Sequence, residues 1–372
     1  MLTAAMIVRN EEAVLEACLR SLSNLVDEIV VVDTGSTDAS RRIARDCGAR
    51  VHDFPWTGDF SAARNRALDL SSGDWILYID ADERVRPIDA DVLTPIFANP
   101  RNIAATVRFH PRTGFTAYPE YRLYRNDPRI RFEGAIHETP LRRLFQIVSE
   151  DDRTIAPAVL TLDHVGYDAD QHRKHMRNLP LLEQSVRSHP GRSYLWWHLG
   201  QVRAALGARD EAEAAWLRGV EVVRKQTSIE GGDALSYMEL IRSRFVRGVH
   251  DMELLHEAEA LFPDDFQLRW LRGRILIALR RFDEAVPVFE TLLRVDADTL
   301  LAACAYDRNI FGLWSFDSLA YCHFALKQFR ESERYYALAE QAAPGDLQYR
   351  TKRQLAAVRA VSQPAEQEAL DG

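Results

Sequence analysis

Cysteine is scarce. The chain of 372 residues has four, at positions 18, 47, 304 and 322, and no two form a C-x-x-C pair. This spacing argues against a zinc site or a disulfide framework and is that of reduced thiols. A surplus of cations is also missing: 47 Lys and Arg stand against 55 Asp and Glu, for a formal net charge of −8. Nucleic acid is therefore not expected as the main partner, because nothing is left over to neutralise phosphates. No run reaches the roughly 18 apolar residues of a spanning helix, so no integral membrane segment is expected. The opening MLTAAMIVRNEEA lacks the basic start and long apolar run of a signal peptide, and the expected location is cytoplasmic. No G-x-G-x-x-G follows the first apolar run, which argues against a dinucleotide-dependent dehydrogenase.

Carboxylates at the ends of buried strands are what the sequence does have. In the first half, strand-like runs (3–8, 28–32, 49–54, 75–79) alternate with helical ones (11–22, 40–47, 61–70). That alternation predicts βαβ units and a mainly parallel sheet. Ligands of such sheets bind beyond the carboxyl ends of the strands. Three polar loops fall there: Arg9-Asn10-Glu11-Glu12, Asp33-Thr34-Gly35-Ser36-Thr37-Asp38 and Asp80-Ala81-Asp82-Glu83. In an extended backbone Asp80 and Asp82 share a face. Two like charges so held suit a hard divalent cation such as Mg²⁺ or Mn²⁺, which takes carboxylate and phosphate oxygens.

After about residue 170 the strand pattern stops and a helical repeat begins. Trp196, Leu199, Gly200, Ala212 and Trp216 set a spacing that Gly273, Ala285 and Phe289 repeat. Phe316, Leu319, Ala320, Tyr336, Ala339 and Pro344 repeat it again, and a weaker copy lies around 237–263. The series resembles tetratricopeptide repeats, whose stacked helix pairs build a solenoid with a concave groove. The expected organisation is an α/β domain over 1–168, a linking helix over 169–190, an all-α repeat solenoid over 191–362 and a frayed polar tail over 363–372.

Read in order, N-E-E, V-V-D-T-G-S-T-D, F-S-A-A-R-N-R-A-L and D-W-I-L-Y-I-D-A-D-E resemble the family 2 glycosyltransferases of the GT-A fold, over about residues 1–140. The resemblance implies an inverting transfer of a sugar from a nucleotide-sugar, usually with Mn²⁺ or Mg²⁺. It makes Asp82 the main metal ligand, with Asp80 in support or at the ribose, and His164 a third ligand. Nucleotide-sugar contacts fall on Ile7, Arg9, Glu11, Asp33, Arg64 and Asp80. Asp33 either receives the base or caps the Gly35-Ser36-Thr37 turn, and Arg9 stands where the family often has an aromatic. An inverting transfer needs one base to take the acceptor's proton. The stretch Arg131-Phe132-Glu133-Gly134-Ala135-Ile136-His137-Glu138 supplies Glu138, with His137 and Glu133 as alternatives. Glu138 and His137 face opposite sides of an extended segment, so one of them enters the site.

By this resemblance UDP is the default nucleotide, with GDP and dTDP open. The acceptor is a peptide, a protein or a cell-surface glycan such as a lipopolysaccharide core. The repeats would hold the acceptor or form a homodimer. The alternative is a scaffold, a retired transferase fold whose repeats bind a partner. Such a fold should have lost Asp80, Asp82 or the His-Glu pair, and all are present. A nucleotidyltransferase would carry a basic, glycine-rich loop near the N-terminus, where Arg9-Asn10-Glu11-Glu12 stands instead.

Overall fold

A computed structural model describes residues 1–166 and 171–362. The tail expected at 363–372 and the expected boundary at 168 lie outside these residues. The chain divides into two compact units. One comprises Met1–Thr113, Ala117–Ala215 and Leu301–Ala305, and the other Gly114–Thr116, Trp216–Leu300 and the described chain from Tyr306 on.

The first unit is built on β1 (Leu2–Val8), β2 (Glu28–Asp33), β3 (Arg50–Asp53), β4 (Trp75–Tyr78), β5 (Glu83–Val85), β6 (Asn102–His110), β7 (Tyr118–Arg125) and β8 (Thr154–His164). They form one sheet in the order β3-β2-β1-β4-β7-β6-β8-β5. The first four strands are parallel, joined through α1 (Leu15–Leu22), α2 (Ser40–Asp46) and α3 (Phe60–Leu70). Beyond β4 the sheet is mixed: β4–β7, β6–β7 and β5–β8 are antiparallel, and β6–β8 is parallel. Apolar runs fit this burial. Leu2, Ala4, Met6 and Val8 alternate on β1 into a core with Leu15, Leu19 and Leu22 of α1 and Trp75 and Leu77 of β4. Their removal from water supplies most of the driving force for this unit.

The ladder between β6 and β7 slips between Ala105 and Thr106. Ala105 faces Leu123 and Thr106 faces Tyr121, which leaves Arg122 as an extra residue on β7. Such a bulge breaks the two-residue alternation and re-aims a side chain. Helices α4 (Thr94–Ala98) and α5 (Leu141–Glu150) complete the sheet region. Helices α6 (Gln171–Ser188) and α7 (Ser193–Ala205) also belong to this unit. Leu182 and Val186 of α6 pack with Leu195, Leu199 and Val202 of α7 and with Ile136.

Helix α8 (Arg209–Val223) spans the boundary in sequence. The second unit continues through α9 (Ala234–Val246), α10 (Met252–Leu261), α11 (Phe266–Ala278), α12 (Phe282–Leu293), α13 (Leu313–Ala325), α14 (Phe329–Ala342) and α15 (Leu347–Ser362). The repeat pattern has a direct physical cause here. A methyl group at Gly273 of α11 would lie 2.5 Å from Cζ of Phe289 on α12, whose ring is fully buried. Glycine at that position is what lets the two helices approach. Among the described residues no helix is long and apolar enough to cross a membrane.

Candidate active site

The polar loops expected to converge do so at the carboxyl ends of β1, β2 and β4. The first two are laced together by side chain to backbone hydrogen bonds. Asn10 N–H donates to Ser36 Oγ (3.0 Å), and Thr37 N–H donates to Asn10 Oδ1 (2.8 Å). Glu11 N–H donates to Ser40 Oγ (2.7 Å), and Ala39 N–H donates to Glu12 Oε2 (2.9 Å). Asn10 sits at φ 58°, a left-handed conformation that asparagine tolerates. These bonds hold the chain in turns over residues 9–14, so α1 begins at Leu15, later than the sequence pattern predicts.

Asp33 ends β2 and is 1% exposed. Its Oδ1 takes hydrogen bonds from Gly35 N–H (3.1 Å), Ser36 N–H (2.9 Å) and Arg41 Nε (2.7 Å). Burial works to raise its pKa, but the bonds from Ser36, Arg41 and Gly35 outweigh it and the pKa is lowered. Oδ2 is buried without a hydrogen-bond partner. One oxygen therefore caps the turn and the other is left for a donor the described residues do not provide.

Residues 80–83 do not continue β4. Glu83 N–H donates to Asp80 O (3.0 Å), closing a turn. The expectation that Asp80 and Asp82 share one strand face is corrected by this turn, and their partners differ. Asp82 Oδ2 lies 2.9 Å from His164 Nε2, and His164 Nδ1 lies 2.9 Å from Pro111 O. The sheet explains the meeting: β5 pairs with β8 in a register that sets Glu83 opposite His164. At Gly166 (φ +20°) a Cβ would lie 2.9 Å from the His164 ring, so only glycine lets the chain pass there. The Asp82 hydrogen bond, against the opposing effect of burial, raises the His164 pKa to about 9.

Asp80 has different partners. Arg64 Nη2 donates to its Oδ1 (2.8 Å) and Arg122 Nη1 lies 3.6 Å from its Oδ2. Burial would raise the Asp80 pKa, but Arg64 and Arg122 outweigh it and lower it. The same Arg64, 11% exposed at its side chain, donates through Nε to Glu138 Oε1 (2.5 Å) and lies over the ring of Tyr78 (4.8 Å). Its neighbour Asn65 grips the backbone of Phe132, with Nδ2 to O and N–H to Oδ1 both 2.9 Å. The adjacent pair Arg64-Asn65 on α3 thus fixes the 131–140 loop and its Glu138 beside Asp80.

His137 is turned elsewhere. At φ 51° it stacks on His198 of α7, with ring centroids 3.4 Å apart and 14° between planes. Burial, with Arg192 and Lys174 nearby, lowers its pKa to about 4. Glu133 pairs with Arg143 (3.1 Å). Of the three candidate bases, Glu138 is the one joined to the acidic turn.

Glu11 is half-buried, and burial, with the charges of Asp82, Asp80 and Asp38, raises its pKa to about 7. Ile7 is partly buried on β1, among Ala5, Val32 and Ala67, and Arg9 is exposed at the strand's end. Sequence reasoning missed the buried pair Arg122–Glu83 (2.7 Å) and the contact of Arg122 Nε with Glu120 Oε2 (3.2 Å). The Tyr121-Arg122-Leu123-Tyr124 run of β7 held the signal, but a bulge cannot be read from it. Among the described residues no group of three His, Cys, Asp or Glu side chains is already gathered as a metal cage. The donor set nonetheless suits a hard cation: carboxylates crowd closely enough to raise Glu11, and a histidine stands beside Asp82.

A parallel nucleotide-type half-sheet followed by mixed strands, with an acidic turn after β4, defines a GT-A domain. The family model for Glycosyl transferase family 2 matches residues 3–153, so this domain is a family 2 glycosyltransferase domain. A Tetratricopeptide repeat model matches residues 266–299. A TPR repeat-containing protein of Synechococcus elongatus is 33% identical over 246 residues, covering 64% of this chain and 61% of that protein. An uncharacterized glycosyltransferase of Rickettsia felis is 36% identical over 132 residues, covering 35% of this chain and 43% of the relative. The SPbeta prophage-derived glycosyltransferase SunS of Bacillus subtilis is 26% identical over 226 residues, covering 57% and 51%. The chain thus spans less than two thirds of the length of each of these relatives. Among solved structures, glucosyl-3-phosphoglycerate synthase of Mycobacterium tuberculosis, in complex with Mn²⁺ and UDP, is similar at TM-score 0.37 and 19% identity, over 50% of this chain and 79% of that one.

Proposed function

We propose that the chain is an inverting, metal-dependent glycosyltransferase that moves a sugar from a nucleotide-sugar, by default a UDP-sugar, to a peptide, protein or glycan acceptor. One observation carries this reading: Arg64 bonds both Asp80 of the acidic turn and Glu138 of the acceptor-side loop. Donor and acceptor ends of a displacement need such fixed spacing. Asp82 and His164, with Asp80, would hold Mg²⁺ or Mn²⁺, which supplies positive charge for the leaving diphosphate. Asp33 Oδ2, buried without a partner, would accept a hydrogen bond from the base. Glu11 would meet the ribose. Glu138 would take the acceptor's proton as its oxygen bonds to the anomeric carbon and the carbon–diphosphate bond breaks. The repeats would bind the acceptor.

The test is calorimetric titration of UDP, GDP and dTDP with Mn²⁺ into the wild-type chain, Asp82→Ala and Glu138→Gln. One nucleotide should bind the wild type, lose its metal-dependent affinity in Asp82→Ala, and bind Glu138→Gln unchanged while sugar transfer falls at least about 100-fold. Binding of none of them by the wild type refutes the reading.

A further inference from the structure

Helix α6 lies outside the segment that matches the glycosyltransferase family, yet it packs beside the acceptor-side loop and the start of α3. Its second half is anchored: Leu182 and Val186 pack on α7 and on Ile136 of the acceptor-side loop, with Phe60 at the start of α3 against the same cluster. Its first turns are then directed by helical periodicity. Lys174, Arg177 and Leu181 follow at three- and four-residue spacing on one face. Leu181 joins the cluster, and the Arg177 guanidinium lies 5.6 Å from the Phe60 ring centroid.

Both cations lie near enough to groups already assigned to the donor to act on their charge. Lys174 is within electrostatic reach of Glu11 and of His137. Arg177 is within reach of Glu11 and of Arg9. Burial and the neighbouring Arg9 lower the Arg177 pKa, as expected of cations gathered without a full set of counter-charges. Among the described residues neither Lys174 nor Arg177 forms a salt bridge, whereas Arg64 and Arg122 are consumed by Asp80, Glu83, Glu120 and Glu138. The two arginines beside Asp80 therefore have little charge to spare for an anion.

We propose that Lys174 and Arg177 of α6 form the cationic wall of the donor cleft and receive the diphosphate of a nucleoside diphosphate donor. This inference rests on the donor site described above. It assigns the protein's share of the leaving group's charge to a helix beyond the matched family segment, and leaves Arg64 the task of spacing Asp80 from Glu138. Lys174 is exposed and Arg177, though partly enclosed by its neighbours, still reaches solvent, so their replacement removes charge at little cost to the fold.

The experiment is calorimetric titration of the full chain, with Mn²⁺ saturating, by the nucleoside, the nucleoside monophosphate and the nucleoside diphosphate of whichever base binds. Lys174→Gln and Arg177→Gln should each weaken the diphosphate about five- to tenfold, and leave the nucleoside within about twofold. Arg177→Lys, which keeps the charge, should recover most of the loss. The losses should shrink as salt is raised. Equal weakening of nucleoside and diphosphate, or unchanged diphosphate affinity in the double variant, overturns the proposal. Failure of the wild type to bind any nucleoside diphosphate overturns the donor site itself, and this inference with it.

Discussion

The stacked histidines His137 and His198 should make the sheet unit acid-sensitive in a way one substitution can isolate. The His137 pKa is lowered from 6.5 to about 4, first by burial and then by Arg192 and Lys174. A histidine depressed in the folded state contributes stability that is fully present above its unfolded value. That stability is lost as pH falls through the folded value. Between pH 6.5 and pH 5 the loss is about 2 kcal/mol, an upper figure because the ring keeps some solvent exposure. Glu11 works in the opposite direction. Its pKa is raised from 4.5 to about 7, so its contribution is present below the unfolded value and is lost as pH rises through about 7. Acidifying the wild type therefore mixes a loss with a gain. His137→Phe removes the His137 share of the loss, and also eases the depression that His137 imposes on His198: a phenyl ring keeps the stack on His198 and cannot take a proton. Urea unfolding at pH 7 and pH 5, followed by pulsed hydrogen exchange on peptides of the sheet unit, keeps the repeats out of the measurement. The wild type should lose about 2 kcal/mol more than His137→Phe over this interval. Equal losses in the two proteins would refute the assignment of a buried, neutral His137.

Three other expectations are open to measurement. The bond to Asp82 raises His164 to about 9, so its share of metal-free stability is full below about 6.5 and lost as pH rises through about 9. A metal needs the neutral ring, so Mn²⁺ affinity should climb with pH up to about 9, with about one proton released at pH 7.5; calorimetry in buffers of different ionisation enthalpy would detect it, and a flat profile would contradict it. Arg64→Gln should lower metal-free stability by about 2–4 kcal/mol, because it strands the Asp80 and Glu138 carboxylates together, and Arg64→Lys should not restore it fully since one ammonium replaces a fork. Gly273→Ala should destabilise the repeat unit by about 1–3 kcal/mol despite alanine's better helix propensity, and Phe289→Leu should relieve it; a more stable Gly273→Ala protein in denaturant would sink the packing argument.

What could be read from the sequence is what depends on local pattern. Alternation along β1 and β2 and the acidic loops that follow them gave the sheet edge and the convergence of Glu11, Asp33 and Asp82. His164 beside Asp82 was expected only through the family resemblance, which made both metal ligands; no local pattern joins residues so far apart in sequence. The rest depends on departures from pattern. Asp80 and Asp82 take different partners where Glu83 N–H closes a turn on Asp80 O. Arg122 reaches Asp80 and Glu83 from a bulge, and a bulge leaves no mark in a two-residue alternation. His137 and Glu138 part company because His137 sits at φ 51° against a helix some sixty residues further along. The grouping of α6 and α7 with the sheet unit arises from contacts of Ile136 and Phe60, which periodicity alone does not reveal.

The electrostatics of the cleft tie these features into one argument. Asp80 is held ionised by Arg64 and Arg122, so it cannot relieve crowding by taking a proton. The cost falls on Glu11, which forms no salt bridge among the described residues and whose carboxyl rises to about 7. A divalent cation at Asp82 would reverse that shift, since it favours the charged form of every carboxylate near it. Glu11 is therefore the natural reporter of the site: its titration, followed by carboxyl-carbon NMR with diamagnetic Mg²⁺, should move down by at least about one unit when the cation binds, and should not move in Asp82→Ala. If Glu11 titrates near 7 with and without Mg²⁺, the carboxylates at the ends of β1 and β4 do not share a cation, and the metal-dependent reading of the cleft fails at its root.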